Sequence, residues 1–277
     1  MSGSGYLSPV GASAAPLDWP PWIIWHVPHD ATQIPEPWDA DFLLDSEALA
    51  DELVRMTDHH TAALFSAEDH PNSLCRAEVS RLLVDVERFP DDADEPMADR
   101  GMGAIYTHGS QRQRIRHPVG AVTRRALLDV FYWPHHKRLE RLVEDRLSQH
   151  GRVLILDCHS FPSVRLPYEL DGGDERPEIC IGADAAHTPT ELIATLKALF
   201  EAHGFSTAVN RPFAGALVPL RYYRQDLSVA SVMIEVRRDL YIHEQTGARL
   251  PSFDAMRTRI ADVLSRGIRA GVERFSP

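Results

Sequence analysis

The chain has 277 residues, 44% of them hydrophobic and 25% charged, with a net charge of −11. This is a globular composition with room for an enzyme-sized core, and its acid excess excludes a general nucleic-acid binder, which needs a basic face. Three cysteines without a CxxC pair exclude a disulfide framework, and no apolar run reaches the ~18 residues of a membrane span; a cytoplasmic protein is expected. Residues 1–20, MSGSGYLSPVGASAAPLDWP, lack the basic start and apolar core of a signal peptide. They read as a flexible lead-in to one domain over 21–277.

In chain order, the first strand is WIIWHV (22–27), which runs into Pro28, His29 and Asp30. A helix over 46–66 follows, with Leu49, Leu53 and Met56 at helical spacing and Asp58, His59 and His60 within it. RLLVDV (81–86) reads as a second strand, flanked by Arg81 and Arg88. The helical stretch 122–149 contains Pro134, which should kink or break it. RVLILD (152–157) and EICIG (178–182) are further strands, the former ending in Cys158, His159 and Ser160. Thr188-Pro189-Thr190-Glu191 reads as a helix start with Thr188 as cap, and His203-Gly204 as its stop. Asn210 lies in AVNRPF; VMIEV (232–236) is a strand carrying Glu235 and followed by Arg237; an amphipathic helix covers 252–274.

Near-continuous apolar strands alternating with helices define an α/β protein, its sheet covered by helices on both faces in three layers. Ligands of such sheets sit outside the carboxyl ends of the strands. Two histidines, His29 and His159, stand there. A catalytic zinc commonly takes two histidines and a carboxylate and leaves a fourth position for water. Asp30 is a poor third ligand because it adjoins His29; Asp58 is the better candidate, with His59 and His60 as rivals.

Each remaining group has two readings. Glu235 in an apolar strand is either an ion-pair partner of Arg237 or Arg238, or a general base. Arg81 and Arg88 either pair with Asp85, Glu87 and the acidic run 91–95, or grip a substrate carboxylate. Asn210 either donates to a substrate or stabilises its own turn. Cys158 reads as packing. Ser160 lacks a G-x-S-x-G elbow, and GMGA at 101–104 is no phosphate-binding fingerprint.

Seven pieces of the chain, in order, resemble the N-formylglutamate amidohydrolase family over about residues 22–244: VPHDATQIP (27–35), TDHHTAALF (57–65), SRLLVDVERFPDD (80–92), WPHHKRL (133–139), LILDCHSFPS (154–163), AVNRPFAGA (208–216) and VMIEVRRDLYIHE (232–244). The resemblance implies a zinc-carboxypeptidase-like fold with a mixed sheet of about eight strands, and zinc-dependent hydrolysis of an amide. It implies one Zn2+ per chain on His29, Asp58 and His159, and Glu235 as the base. Arg81 and Arg88 would hold a substrate carboxylate, and Asn210 and Arg237 complete the expected substrate-binding set. Two positions depart from the family pattern: Glu87 replaces an asparagine, and Ala214-Gly215-Ala216 replaces a Lys-Gly-Gly segment. The expected partner is a small N-acyl amino acid, N-formylglutamate or another acyl or peptide-like amide, with no nucleic acid or membrane; a homo-oligomer is compatible. A metal-bearing binding protein without turnover and a serine hydrolase using Ser160 are the rival functions.

Overall fold

The run at 22–27 becomes strand β1 (Ile23–Val27), all five residues buried, in the computed structural model, which describes residues 19–171, 173 and 175–272. The expected lead-in therefore lies outside the described residues up to position 18, as do positions 273 and 274 of the expected last helix. The two longest strands, β3 (Val153–Phe161) and β6 (Val229–Arg237), are buried almost end to end. With β4 (Ile179–Gly182) and two three-residue strands, β2 (Leu74–Arg76) and β5 (Thr207–Val209), they form one sheet in the order β2-β1-β3-β6-β4-β5. Neighbours are parallel except β4 against β6. The sheet is mixed, as expected, but the described residues supply six strands rather than about eight.

Strand alternation divides the core. Ile23, Trp25 and Val27 of β1 and Leu154, Leu156 and Cys158 of β3 point into one apolar cluster. That cluster is closed by α2 (Thr61–Leu64), α5 (Thr190–Ala202) and α6 (Phe253–Val272). Ile24, Val153 and Ile155 point the other way, onto Leu139 and Val143 of α4 (Trp133–His150). Helices thus cover both faces. On the α4 face, β3 reads Val153, Ile155, Asp157, His159: apolar where α4 covers it and ionisable towards its carboxyl end.

Four expectations change in detail. RLLVDV is not a strand. Its residues fold as a turn in which Leu83 and Val84 donate back to the Ser80 carbonyl and Asp85 N donates to Ala104 O. Leu82, Leu83 and Val84 fill a second core with Met97, Tyr106 and Ile115, so burial on all sides mimicked a strand; a short apolar run does not distinguish the two. Buried Arg116 donates to the carbonyls of Leu82, Leu83 and Tyr106 and replaces the missing ladder partners.

The helix at 46–66 is two helices, α1 (Ser46–Met56) and α2, separated by Asp58 and by His60 at φ +64. The stretch 121–150 runs on as helix and Pro134 does not break it. Between α3 (Ala121–Leu127) and α4 it passes through a π-helical turn at Leu128–Tyr132, and Pro134 follows directly after that turn, where the ladder is already shifted and a residue without an N–H is accommodated. Thr188 does not cap α5; its hydroxyl donates to Ser231 O and accepts from Asp184 N, while Gly204 at φ +82 ends the helix region as expected.

Two glycines allow a close approach beside the site. A Cβ on Gly182 would stand 2.3 Å from the Gly215 carbonyl oxygen and 2.3 Å from Met233 Cε, and Gly215 itself has φ +92. Gly182→Ala is expected to destabilise the protein by about 1–3 kcal/mol through overpacking, measured by urea denaturation. An unchanged unfolding midpoint would show that the segment around Gly215 yields freely.

Candidate functional site

Three parallel strands bring their carboxyl ends to one edge. In the register of β3 and β6, His159 lies opposite Glu235; His29 follows β1 immediately. Asp58 reaches the same place because the α1–α2 break lets its backbone N–H donate to His29 O at 2.9 Å. Its side chain then sits between the two histidines. Asp58 Oδ2 is 3.2 Å from His159 Nδ1 and 3.8 Å from His29 Nδ1, and it accepts from Ser160 N. Arg238 Nη2 donates to the other oxygen, Oδ1, at 2.8 Å.

The far nitrogen of each ring is held by an acid. His29 Nε2 donates to Asp85 Oδ1 at 2.8 Å; His159 Nε2 lies 3.0 Å from Asp157 Oδ1 and 3.2 Å from Glu87 Oε1. A proton on each Nε2 leaves the Nδ1 lone pairs facing Asp58, an arrangement that needs a proton or a cation between them. His29 Nδ1 is buried and has no hydrogen-bond partner. The three candidate donor atoms lie within 4.8 Å of one another. Ligand atoms around a tetrahedral zinc stand roughly 3.3 Å apart, given zinc–ligand bonds of about 2.0–2.1 Å. The donor set fits the metal, and the acids on both Nε2 atoms are the usual outer partners of ligating histidines.

The charges agree with this crowding. Burial alone would keep Asp58 protonated, but His159, His29 and Arg238 hold its carboxyl well below the ordinary range. Burial likewise opposes charge on His159, yet Glu87, Asp157 and Asp58 raise it well above its usual value. Glu235 is pushed up to about 8, chiefly by burial. Its expected ion-pair partners are engaged elsewhere: Arg238 on Asp58, and Arg237 on Asp239 and the Arg176 carbonyl. Glu235 Oε2 is buried without a hydrogen-bond partner, so neither arginine neutralises it through a direct bond.

A cavity of about 610 Å³ opens over His29, Asp58, His159 and Glu235, and Arg81 and Arg88 also line it. Arg81 is committed to Asp85 (2.9 Å) and Tyr106 (3.2 Å). Asn210 and Arg237 are not brought to the cavity. Asn210, at φ +56, accepts from Ala183 N and Gly215 N and so pins the turn after β5; the short side chain acts on its own loop.

The rival ligands are placed elsewhere. His60 bonds the Gly247 carbonyl, and His59 is outside the donor set. Asp30 accepts from Arg76 Nε (2.7 Å) and Ala62 N, joining β1 to β2 and α2. Cys158 is buried in the core with its thiol pushed up by burial. Ser160 Oγ accepts from Arg238, and no histidine nitrogen bonds it among the described residues. Sequence reasoning missed Asp157 and Arg238 as site residues. Asp157 carried a readable signal, since it stands two residues before His159 on one strand and therefore on the same face. Arg238 carried none, because the 3₁₀ turn Arg238–Leu240 breaks the alternation of β6.

The geometry can be set beside known proteins. Comparison with curated proteins returns no match. Among solved structures, the chain is similar to an N-formylglutamate amidohydrolase from Ralstonia eutropha, with a TM-score of 0.75 and 21% identity over 91% of this chain and 95% of that one. It is also similar to a gene product of Agrobacterium tumefaciens, with a TM-score of 0.64 and 21% identity over 88% and 91% of the two chains. Likeness at this identity shows a shared fold. A family model described as N-formylglutamate amidohydrolase matches residues 21–242, from the start of β1 to beyond Glu235 and Arg238. On that match, the chain belongs to the N-formylglutamate amidohydrolase family.

Proposed function

We propose that the protein is a zinc-dependent amidohydrolase that cleaves an N-formyl or N-acyl amino acid to the free amino acid and the acid. The reading takes residues 21–277 as one catalytic unit on a scaffold related to zinc carboxypeptidases. The observation that carries it is the orphaned Nδ1 of His29, aimed with His159 and Asp58 at one point beside an unpaired buried glutamate. His29, Asp58 and His159 would hold one Zn2+. When bound, the metal supplies a Lewis acid and an acidified water.

The other roles belong to side chains. Glu235 takes the proton of the attacking water and returns it to the leaving amine, a task suited to a carboxyl whose affinity for protons is raised. Asp85 and Asp157 keep the histidine rings oriented. Arg238 holds Asp58 ionised, and Arg88 faces the cavity as a site for a substrate carboxylate. Three free, buried cysteines suit a reducing compartment, and we place the enzyme in the cytoplasm. Among the described residues, no helix is long and apolar enough to cross a membrane.

Chelation should abolish formate release from N-formyl amino acids, and added zinc should restore it. Glu235→Gln is expected to keep its metal and slow turnover by ~100-fold or more; wild-type turnover in this variant removes Glu235 as the base. Metal content separates the neighbours at the end of β1. His29→Ala should lose the ion, whereas Asp30→Ala should keep it and lose stability, because Asp30 ties Arg76 and Ala62 instead. Arg238→Met should weaken metal affinity by roughly 10–100-fold, read by competition with a chromogenic chelator; unaltered affinity would show that Asp58 needs no such support.

A further inference from the structure

The cavity wall carries an inventory of charge that bears on the substrate. Three guanidinium groups face the cavity, those of Arg81, Arg88 and Arg238. Arg238 is spent on Asp58. Arg81 is spent on Asp85, whose two oxygens are already filled: Oδ1 accepts from His29 Nε2 and Glu87 N, and Oδ2 from Arg81 and Tyr106. Arg88 is the least tightly held of the three, in two long ion pairs. Its nearest acids are 3.7 Å (Asp85) and 3.9 Å (Glu95) away, and its buried Nε donates to nothing. Neither pair is within hydrogen-bond distance, so this is the guanidinium best able to take a substrate carboxylate.

Among the described residues, no further lysine or arginine lines the wall to meet a second. The chain has only two lysines, Lys137 on α4 and Lys197 on α5, and neither faces the cavity. The stretch from Pro212 to Leu220 lines the cavity with nine consecutive residues, none of them charged or polar. This wall is fixed in place: Asn210 Oδ1 accepts from Gly215 N, and Leu217 N donates to Asp157 Oδ2. At the mouth, Phe89, Leu170 and Leu220 are exposed large apolar side chains. Glu87 adds a further negative charge, 3.2 Å from His159. A second substrate carboxylate would lose water against apolar side chains, near like charges, with no cation to meet it.

We propose that this enzyme takes monocarboxylate substrates with an apolar side chain: N-acyl derivatives of leucine-, methionine- or phenylalanine-like amino acids, with the carboxylate on Arg88 and the side chain against Pro212–Leu220. The inference rests on the amidohydrolase reading and narrows its substrate.

The test is a panel assayed with the zinc-loaded full-length protein: N-formyl-L-leucine, N-formyl-L-phenylalanine, N-formyl-L-glutamate and N-formyl-L-leucinamide. The kcat/KM for the leucine and phenylalanine derivatives should exceed that for glutamate by ~10-fold or more, and leucinamide should lose most of the activity through KM. Ala214→Lys, which adds a cation to the apolar wall, should raise the glutamate-to-leucine ratio of kcat/KM by ~10-fold. Equal or better turnover of N-formyl-L-glutamate overturns this inference alone. Leucinamide turned over as well as the acid removes Arg88 as the anchor and overturns the one-carboxylate assignment. Absence of hydrolysis across the whole panel overturns the amidohydrolase reading and this inference with it.

Discussion

The site depends on one buried carboxylate, that of Asp58. Its backbone N–H is tied to the carbonyl of His29, its Oδ1 to Arg238 and its Oδ2 to the amide of Ser160. Three segments that are distant in sequence, the end of β1, the end of β3 and the turn after β6, meet on this residue. A carboxylate fully removed from water is costly unless its charge is met. Here it is met by a guanidinium on one oxygen and leaves the other oxygen to the two histidines. The break between α1 and α2 follows from the same requirement, since a continuous helix would keep the Asp58 N–H in its own ladder and away from His29.

Asp85 performs a comparable service on the opposite side of His29. By receiving that ring's Nε2–H it selects the tautomer that bares Nδ1, and by bonding Arg81 and Tyr106 it offsets one of the cationic groups that line the cavity. The turn that presents Asp85 is built from the apolar triplet Leu82-Leu83-Val84, held by the buried guanidinium of Arg116. The second core therefore shapes the loop whose arginines face the cavity.

Much of this is legible in the sequence. The strands that carry the site are apolar, buried and bounded, so their pattern alone puts His29, His159 and Glu235 at one sheet edge. The short strands β2 and β5 have three residues each, too few for a periodicity to show, and their existence is decided by pairing with neighbours. RLLVDV misleads because burial on every side looks the same in a strand and in a packed turn. Asn210 and Arg237 look like substrate contacts for their chemistry, but that chemistry is used up locally, on a turn and on Asp239. Partner choice among many arginines and acids is a property of three-dimensional proximity, and the sequence order of charges does not encode it.

The residues around His29 and His159 place Asp58, Asp85, Asp157, Glu87 and Glu235 within one small region, against Arg81, Arg88 and Arg238. Several of these acids are fully buried, and Glu235 has to share its surroundings with them. Glu235 is raised chiefly by its burial, and His159 is raised against its burial by Glu87, Asp157 and Asp58; both groups hold protons for these different reasons. On the proposed reading, a divalent cation held by His29, Asp58 and His159 would take the place of the histidine protons and would favour the ionised form of Glu235. Metal binding, ring protonation and the ionisation of Glu235 would then be coupled through a common electrostatic balance, because the same buried acids face all three.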